Sequence, residues 1–211
     1  MTAPTIQRGQ RSEAARTARQ EEILDAARRV FAERGFKGTT IADVAEAAGI
    51  ALGTIYLYFK SKDEIFAALG QRLHTLIAEA FHAGAAEPTL DATVRLRVRN
   101  VFEACGANRD LIRLVVLNSD LDGAGTRRMR QAERDRAKPF ADGLALAAER
   151  GWIRNEDPLV MARLILGLAT MAVYQAYVFS DGEGAEQLRE ACADMITAYL
   201  RPTDGSNVPQ T

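Results

Sequence analysis

The chain carries only two cysteines, Cys105 and Cys192, and they share no C-x-x-C spacing. That excludes a disulfide framework or a thiolate metal ribbon and leaves two buried small hydrophobes of a reducing compartment. Histidine is as scarce. His74 and His82 lie eight positions apart, a turn of roughly 80° on a helical wheel. No cysteine or carboxylate set joins them at ligand spacing, so no metal site is expected. No Ser/His/Asp set, phosphate loop or G-x-G-x-x-G occurs, and neither catalysis nor a cofactor is expected. Prolines number six, and no run of β-branched and aromatic residues alternates with period two over a strand's length. The longest charge-free run, Leu164 to Ser180, is slightly short for a bilayer span and contains Gln175. The first twenty residues are polar and arginine-rich, without the apolar segment of a secretory leader. A cytoplasmic, all-α protein with no membrane partner is expected.

What is present is helical periodicity and a mild charge asymmetry. The net charge is −1, with 47% hydrophobic and 26% charged residues, ordinary for a folded soluble chain. Residues 1–60 hold nine Lys/Arg against seven acids, +2, which leaves −3 for the rest. Arg8, Arg11, Arg16 and Arg19 stand against Glu13 alone, so an anionic partner would meet this end. A solvated tail and a DNA-contacting arm are equally open for these arginines. From Thr17 to Arg34 the apolar residues Ile23, Ala27, Val30 and Phe31 mark one helix face, stopped by Gly35. Ile41, Val44, Ala45 and Ala48 mark a second, short helix, opened by the capping pair Thr40 and Asp43 and closed by Gly49. Residues 51–59 read as another two-turn helix. The capping box Ser61-Lys62-Asp63-Glu64 then opens a longer one carrying Ile65, Phe66, Leu69 and Leu73, to about Gly84. Further helices are expected at 89–105, 108–119, 125–150, 157–180 and 184–200, about nine in all. The expected division is a flexible arm at 1–15, a helix-turn-helix domain at 16–62, a larger helical domain at 63–202 and a disordered tail at 203–211.

Two short helices joined by a glycine-containing turn are the helix-turn-helix unit, whose second helix reads the major groove. With Ile55 inward, the wheel turns Ala51, Leu52 and Phe59 inward too and leaves Gly53, Thr54, Tyr56 and Leu57 outward, with Tyr58 at the border. An outward face without charge suits a partner better than water. The Thr54 hydroxyl can meet a base edge and its methyl a thymine methyl. Tyr56 and Tyr58 can donate to phosphates. Lys62 with the start of the following helix, and Thr39 and Thr40 at the start of the second helix, are candidate phosphate sites. The adjoining Lys60 completes the set.

The stretch "FAERGFKGTTIADVAEAAGIALGTIYLYFKSKDEIF" closely resembles the DNA-binding region of TetR-family transcriptional regulators, over about residues 20–66. The matching features are F-x-x-x-G-F-x-x-T-T, I-A-D-V-A-x-x-A-G, G-T-I-Y-x-Y-F and K-S-K-D-E-I. The resemblance implies a homodimer that sets two reading helices on a near-palindromic double-stranded operator. It further implies a small-molecule effector in the larger domain that changes the spacing of the two heads, most simply as a repressor released by ligand. Carried onto this chain, Thr39, Thr40, Tyr58 and Lys62 would hold phosphates, and Gly53, Thr54 and Tyr56 would lie in the groove. Ala51 and Leu52 depart from the polar residues found in many relatives. Direct readout is thereby left to Thr54, to methyl contacts or to DNA shape. That departure is also the one sequence feature favouring an alternative, a helical small-molecule-binding protein with a vestigial DNA head.

The larger domain is less legible. Phe102, Cys105, Leu114, Leu117, Phe140, Trp152, Met161, Met171 and Tyr174 are candidates to line an effector pocket, although residues of each of these types are more often plain core. Such a lining implies a bulky apolar or aromatic ligand. The run "LVMARLILGLATMAVYQAYVF" is apolar nearly all round, so it should be covered on several sides. With "EQLREACADMITAYL" it resembles the family's two-helix dimer face, a four-helix bundle when paired. The candidate contacts are Leu164, Leu168, Val173, Leu188, Cys192, Met195, Ile196 and Tyr199.

Overall fold

The computed structural model describes residues 5–84, 87–118 and 137–202, with side chains from residue 13 onward. Helices account for nearly all of it: α1 (Thr5–Gly38), α2 (Ile41–Ala47), α3 (Leu52–Ile55), α4 (Lys62–His82), α5 (Leu90–Ala107) and α6 (Arg109–Leu117). They continue as α7 over 137–149, α8 (Pro158–Tyr174), a π-helical turn at Gln175–Phe179, and α9 (Ala185–Leu200). No strand occurs among the described residues. The tail expected at 203–211 and the first half of the helix expected at 125–150 lie outside them.

The chain forms two compact units, Met1–Leu73 and His74–Thr211. In the first, Ile23, Ala27 and Phe31 of α1, Val44 and Ala45 of α2, Ile55, Phe59, and Ile65 and Leu69 of α4 are buried, each at most 4% exposed. These are the apolar positions that the 3.6-residue period picks out, so burial of one stripe per helix makes this core. Helix α1 begins at Thr5, inside the segment read from sequence as an arm, and bends at Gly35 (φ 72°, ψ 158°) into a last turn ending at Gly38.

The second unit packs α5 against α9, α9 against α8, and α6 against the π-helical turn. Arg95 of α5 grips Asp91 at 2.9 Å and reaches α9 at Glu190 (2.8 Å) and Asp194 (2.5 Å). Arg97 donates to the carbonyls of Phe81 (2.6 Å) and Ala83 (3.2 Å), capping the end of α4. Helix α8 starts as its sequence demands, with Pro158 in the first turn and Asp157 accepting from the amides of Leu159 and Val160. At its far end the π-helical turn is held by α6: Arg113 pairs with the Asp181 carboxylate, and Arg109 donates to the Asp181 carbonyl at 3.2 Å.

Candidate nucleic-acid interface

The turn between α2 and α3 is built by Gly49. Its φ of +67° is costly for any residue with a Cβ, and it ends α2 in a Schellman motif. The Gly49 amide donates to the Glu46 carbonyl and the Ile50 amide to the Ala45 carbonyl, both at 3.0 Å. At the other end of α2, Thr40 and Asp43 form the expected capping box. The Asp43 amide donates to Thr40 Oγ1 at 3.2 Å, and the Thr40 amide donates to Asp43 Oδ2 at 2.7 Å. Donation to the Asp43 carboxylate from the Thr40 hydroxyl (2.6 Å) and the Thr40 amide, with Arg34 at 2.9 Å, holds the carboxyl below its ordinary 3.8.

Helix α3 is one turn long, not two. Helical coiling continues through Phe59, whose amide reaches the Ile55 carbonyl at 2.9 Å. Ile55 and Phe59 are buried at 0% and 4%, as the wheel requires, and Tyr56 (49% exposed) and Leu57 (73%) face outward with Gly53. Thr54 and Tyr58 are half-buried. Ala51 and Leu52 depart from the wheel: Ala51 is exposed and Leu52 is 44% exposed. Ala51 is the N-cap, with extended backbone (φ −65°, ψ 145°), so the helical period does not reach back to it.

Two of the expected phosphate anchors are engaged elsewhere. Thr39 is 1% exposed and its hydroxyl donates to the Gly35 carbonyl at 2.8 Å, so it closes the bend after α1 and faces no partner. Lys62 turns inward: its Nζ lies 2.8 Å from the carbonyls of Phe36 and Thr39, 3.4 Å from that of Lys37, and 4.7 Å from the Phe36 ring. The carbonyls left open where α1 bends make a better site for an ammonium than a single exposed phosphate would. Thr40 stays exposed, although its hydroxyl serves Asp43 at 2.6 Å. Lys60 is exposed and lends its amide to Glu64 at 2.6 Å, while Ser61 accepts from the Glu64 amide at 3.2 Å. Phe36, packed between Phe31 (5.4 Å) and Phe66 (4.8 Å), organises this corner. The F-x-x-x-G-F pattern is its signal in the sequence.

A match over residues 23–69 to the family model for bacterial regulatory proteins of the tetR family coincides with this helix set. Over this segment the chain is similar to the TetR family. It is 52% identical over 48 residues to the uncharacterized HTH-type transcriptional regulator YfiR of Bacillus subtilis, 23% of either chain. It is 46% identical over 48 residues to the HTH-type transcriptional repressor KstR2 of Mycolicibacterium smegmatis, again 23% of each. The matched segment thus spans about a quarter of the length of these relatives. The solved structure of a SmeT–triclosan complex superposes with a TM-score of 0.72 at 26% identity, covering 92% of this chain and 96% of that one. The fold shared with that structure, an N-terminal helix-turn-helix unit followed by a larger helical one, therefore holds over most of the chain.

In the second unit the candidate residues separate into two groups. Phe102, Cys105, Leu114 and Met161 are buried, and Phe140 and Tyr174 are half-buried. Leu117 (61% exposed), Trp152 (45%) and Met171 (52%) face outward and do not join them. Burial pushes the Cys105 thiol up to about 12. The sequence pattern does not single out Tyr177. It stands in the π-helical turn, edge-on to Phe102 at 6.0 Å, in space left open by Gly106, where a Cβ would lie 3.0 Å from the tyrosine hydroxyl. Of the expected dimer contacts, Leu164 (56%) and Met195 (57%) are exposed, and Leu168, Leu188 and Tyr199 are half-buried. Val173, Cys192 and Ile196 are buried within the unit, at 4%, 2% and 4%. Their side chains belong to its core.

Proposed function

We propose that the chain is a cytoplasmic, homodimeric DNA-binding transcriptional regulator, most simply a repressor released from a near-palindromic operator by a small molecule. The observation that carries this reading is the uncharged face of Gly53, Tyr56 and Leu57. A glycine-closed turn presents it, and the buried Ile55 and Phe59 anchor it from behind. Such a face is poorly suited to water and well suited to a major groove. The exposed Lys37 and Lys60 and the Tyr56 and Tyr58 hydroxyls supply phosphate contacts around it. The domain division read from sequence, with the head at 16–62 and the effector and dimer functions at 63–202, is part of the proposal.

The repressor reading draws support from the repressor KstR2 among the relatives, and the effector reading from the triclosan complex of SmeT. Here the effector would be apolar or aromatic and would lie beside Phe102, Cys105, Met161 and Tyr174. Pro158–Phe179 is apolar and long enough to cross a bilayer by length and composition, but its Arg163 and its packing against α9 favour a protein partner for its open side. The test is a mobility shift with the chain's own promoter fragment. Wild type is expected to retard the fragment with steep salt dependence. Thr54→Ala with Tyr56→Ala should abolish the shift while the melting temperature holds, and a double variant that binds like wild type would refute the assignment of this face.

A further inference from the structure

We infer that this head selects thymines, read through their C5 methyl groups by the side chain of Leu57 with Leu52 beside it. The inference rests on the operator-binding function proposed above and names the bases that function requires.

From Ala47 to Phe59 there is no Arg, Lys, Asp, Glu, Asn or Gln. Guanine is typically read by Arg or Lys, adenine by Asn or Gln, and cytosine by an acidic side chain, so none of these pairings is on offer. What the face does present is apolar. Leu57, at 73%, is the most exposed large hydrophobic side chain among the described residues, and Leu52 stands out at 44%. Between them Gly53 leaves open space: a Cβ added there would meet nothing within 4 Å, so the backbone can come close to the groove floor. Leu57 and Leu52 therefore form two apolar projections on either side of a low point. The one apolar group on a major-groove base edge is the thymine methyl. A leucine pressed against that methyl buries both, whereas a leucine pressed against cytosine desolvates its amino group and gains no methyl contact. Thr54, half-buried, and Tyr56, 49% exposed, add only hydroxyls, which both donate and accept and cannot by themselves distinguish four base pairs.

The experiment selects duplexes from a randomised double-stranded DNA pool with the full-length chain. The enriched duplex is then synthesised with each thymine replaced singly by deoxyuridine, which removes the methyl and keeps every hydrogen-bonding group. Anisotropy titrations at fixed salt should show one or two thymines per half-site where uracil weakens binding about fourfold, the worth of one buried methyl-sized group. In Leu57→Ala the thymine-to-uracil ratio should fall to about one at one of these positions, and in Leu52→Ala at another. Both side chains are substantially exposed, so both variants should melt as wild type does. Uracil duplexes that all bind like the parent would overturn the inference in favour of shape readout, as would a ratio that survives both substitutions. Failure to enrich any duplex would instead sink the operator-binding function itself.

Discussion

The ammonium of Lys62 lies 4.7 Å above the ring of Phe36 and 2.8 Å from that same residue's carbonyl oxygen, with the Thr39 carbonyl also at 2.8 Å. One side chain at the start of α4 thereby ties together the backbone where α1 ends and α2 is about to begin. An ammonium has three N–H groups, and the carbonyls of Phe36, Thr39 and Lys37 provide three acceptors for them. Under the proposed function Lys62 would serve DNA binding through the placement of α2 and α3.

That role separates cleanly from phosphate contact. Lys62→Met keeps the aliphatic stem and removes the donors, and should lower stability by about 2 kcal/mol. Operator affinity should fall as well, while the slope of log K against log salt stays at its wild-type value, because no phosphate contact is lost. A phosphate-bound lysine would take about one unit off that slope. Lys62→Arg should behave like the methionine variant, since a planar fork cannot aim three donors from one nitrogen at converging carbonyls. Retained affinity in the arginine variant would show the charge, not the geometry, to matter.

Gly49 makes the second prediction. Its φ of +67° and the paired bonds to Ala45 and Glu46 fix the angle between α2 and α3. A methyl group there would meet no clash, since nothing lies within 4 Å of the place a Cβ would occupy, so the whole penalty of Gly49→Ala is backbone strain. A cost of about 1–2 kcal/mol is expected in chemical denaturation, with weakened operator binding at temperatures where the variant is still folded. An unchanged denaturation midpoint would mean the turn tolerates another conformation.

The helical class, the capping boxes and the buried stripe of the first unit are legible in the sequence because each rests on local periodicity and short-range hydrogen bonds. Thr40 with Asp43, and Ser61 with Glu64, are contacts three residues apart. What the sequence hides depends on contacts distant along the chain. Lys62 looks like an exposed phosphate anchor until its partners, 23 to 26 residues away, are known. Thr39 looks like a helix-start hydroxyl until the bend at Gly35 turns it inward. Ala51 points inward only on a wheel that runs one residue past the helix that forms, because it is the N-cap with extended backbone. In the second unit, apolar composition cannot say which side of α8 or α9 faces inward. Hence Cys192 and Ile196, expected as contact residues, are core, while Leu164 and Met195 remain on the surface.

Stability should fall at both ends of the pH scale for identifiable reasons. Asp43 is held below 3.8, first by Thr40 and then by Arg34, so its contribution is present above about that pH and is lost as pH falls through its lowered folded value. The cysteines act at the other end. Burial raises Cys105 from 9.0 to about 12 and Cys192 to about 11, so the folded state keeps protons that the unfolded chain releases. Stability therefore declines from about pH 9 upward, and Cys105→Ala should flatten that alkaline slope in denaturation curves even though it lowers stability at neutral pH. Native thiols should also resist alkylation at pH 8 until denaturant is added.

The open side of α8 has the form of an interface. Val160 (48% exposed), Leu164 (56%) and Met171 (52%) recur with Gly167 at positions i, i+4, i+7 and i+11, one continuous stripe, and α9 adds Met195 at 57%. A run of large apolar side chains along two adjacent helices is more than the scattered exposure of an ordinary surface. In the proposed homodimer a second copy would supply the same stripe, and the two copies would pair as a four-helix bundle with like groups facing. Sedimentation at micromolar concentration should show a dimer. Leu164→Glu with Met195→Glu places like charges across that interface and should yield a monomer with unchanged helical content, because neither side chain serves the core. Operator affinity should then fall by two orders of magnitude or more, on the order of the avidity lost when two heads no longer act on one duplex. A double variant that remains dimeric would move the interface to another face of the unit.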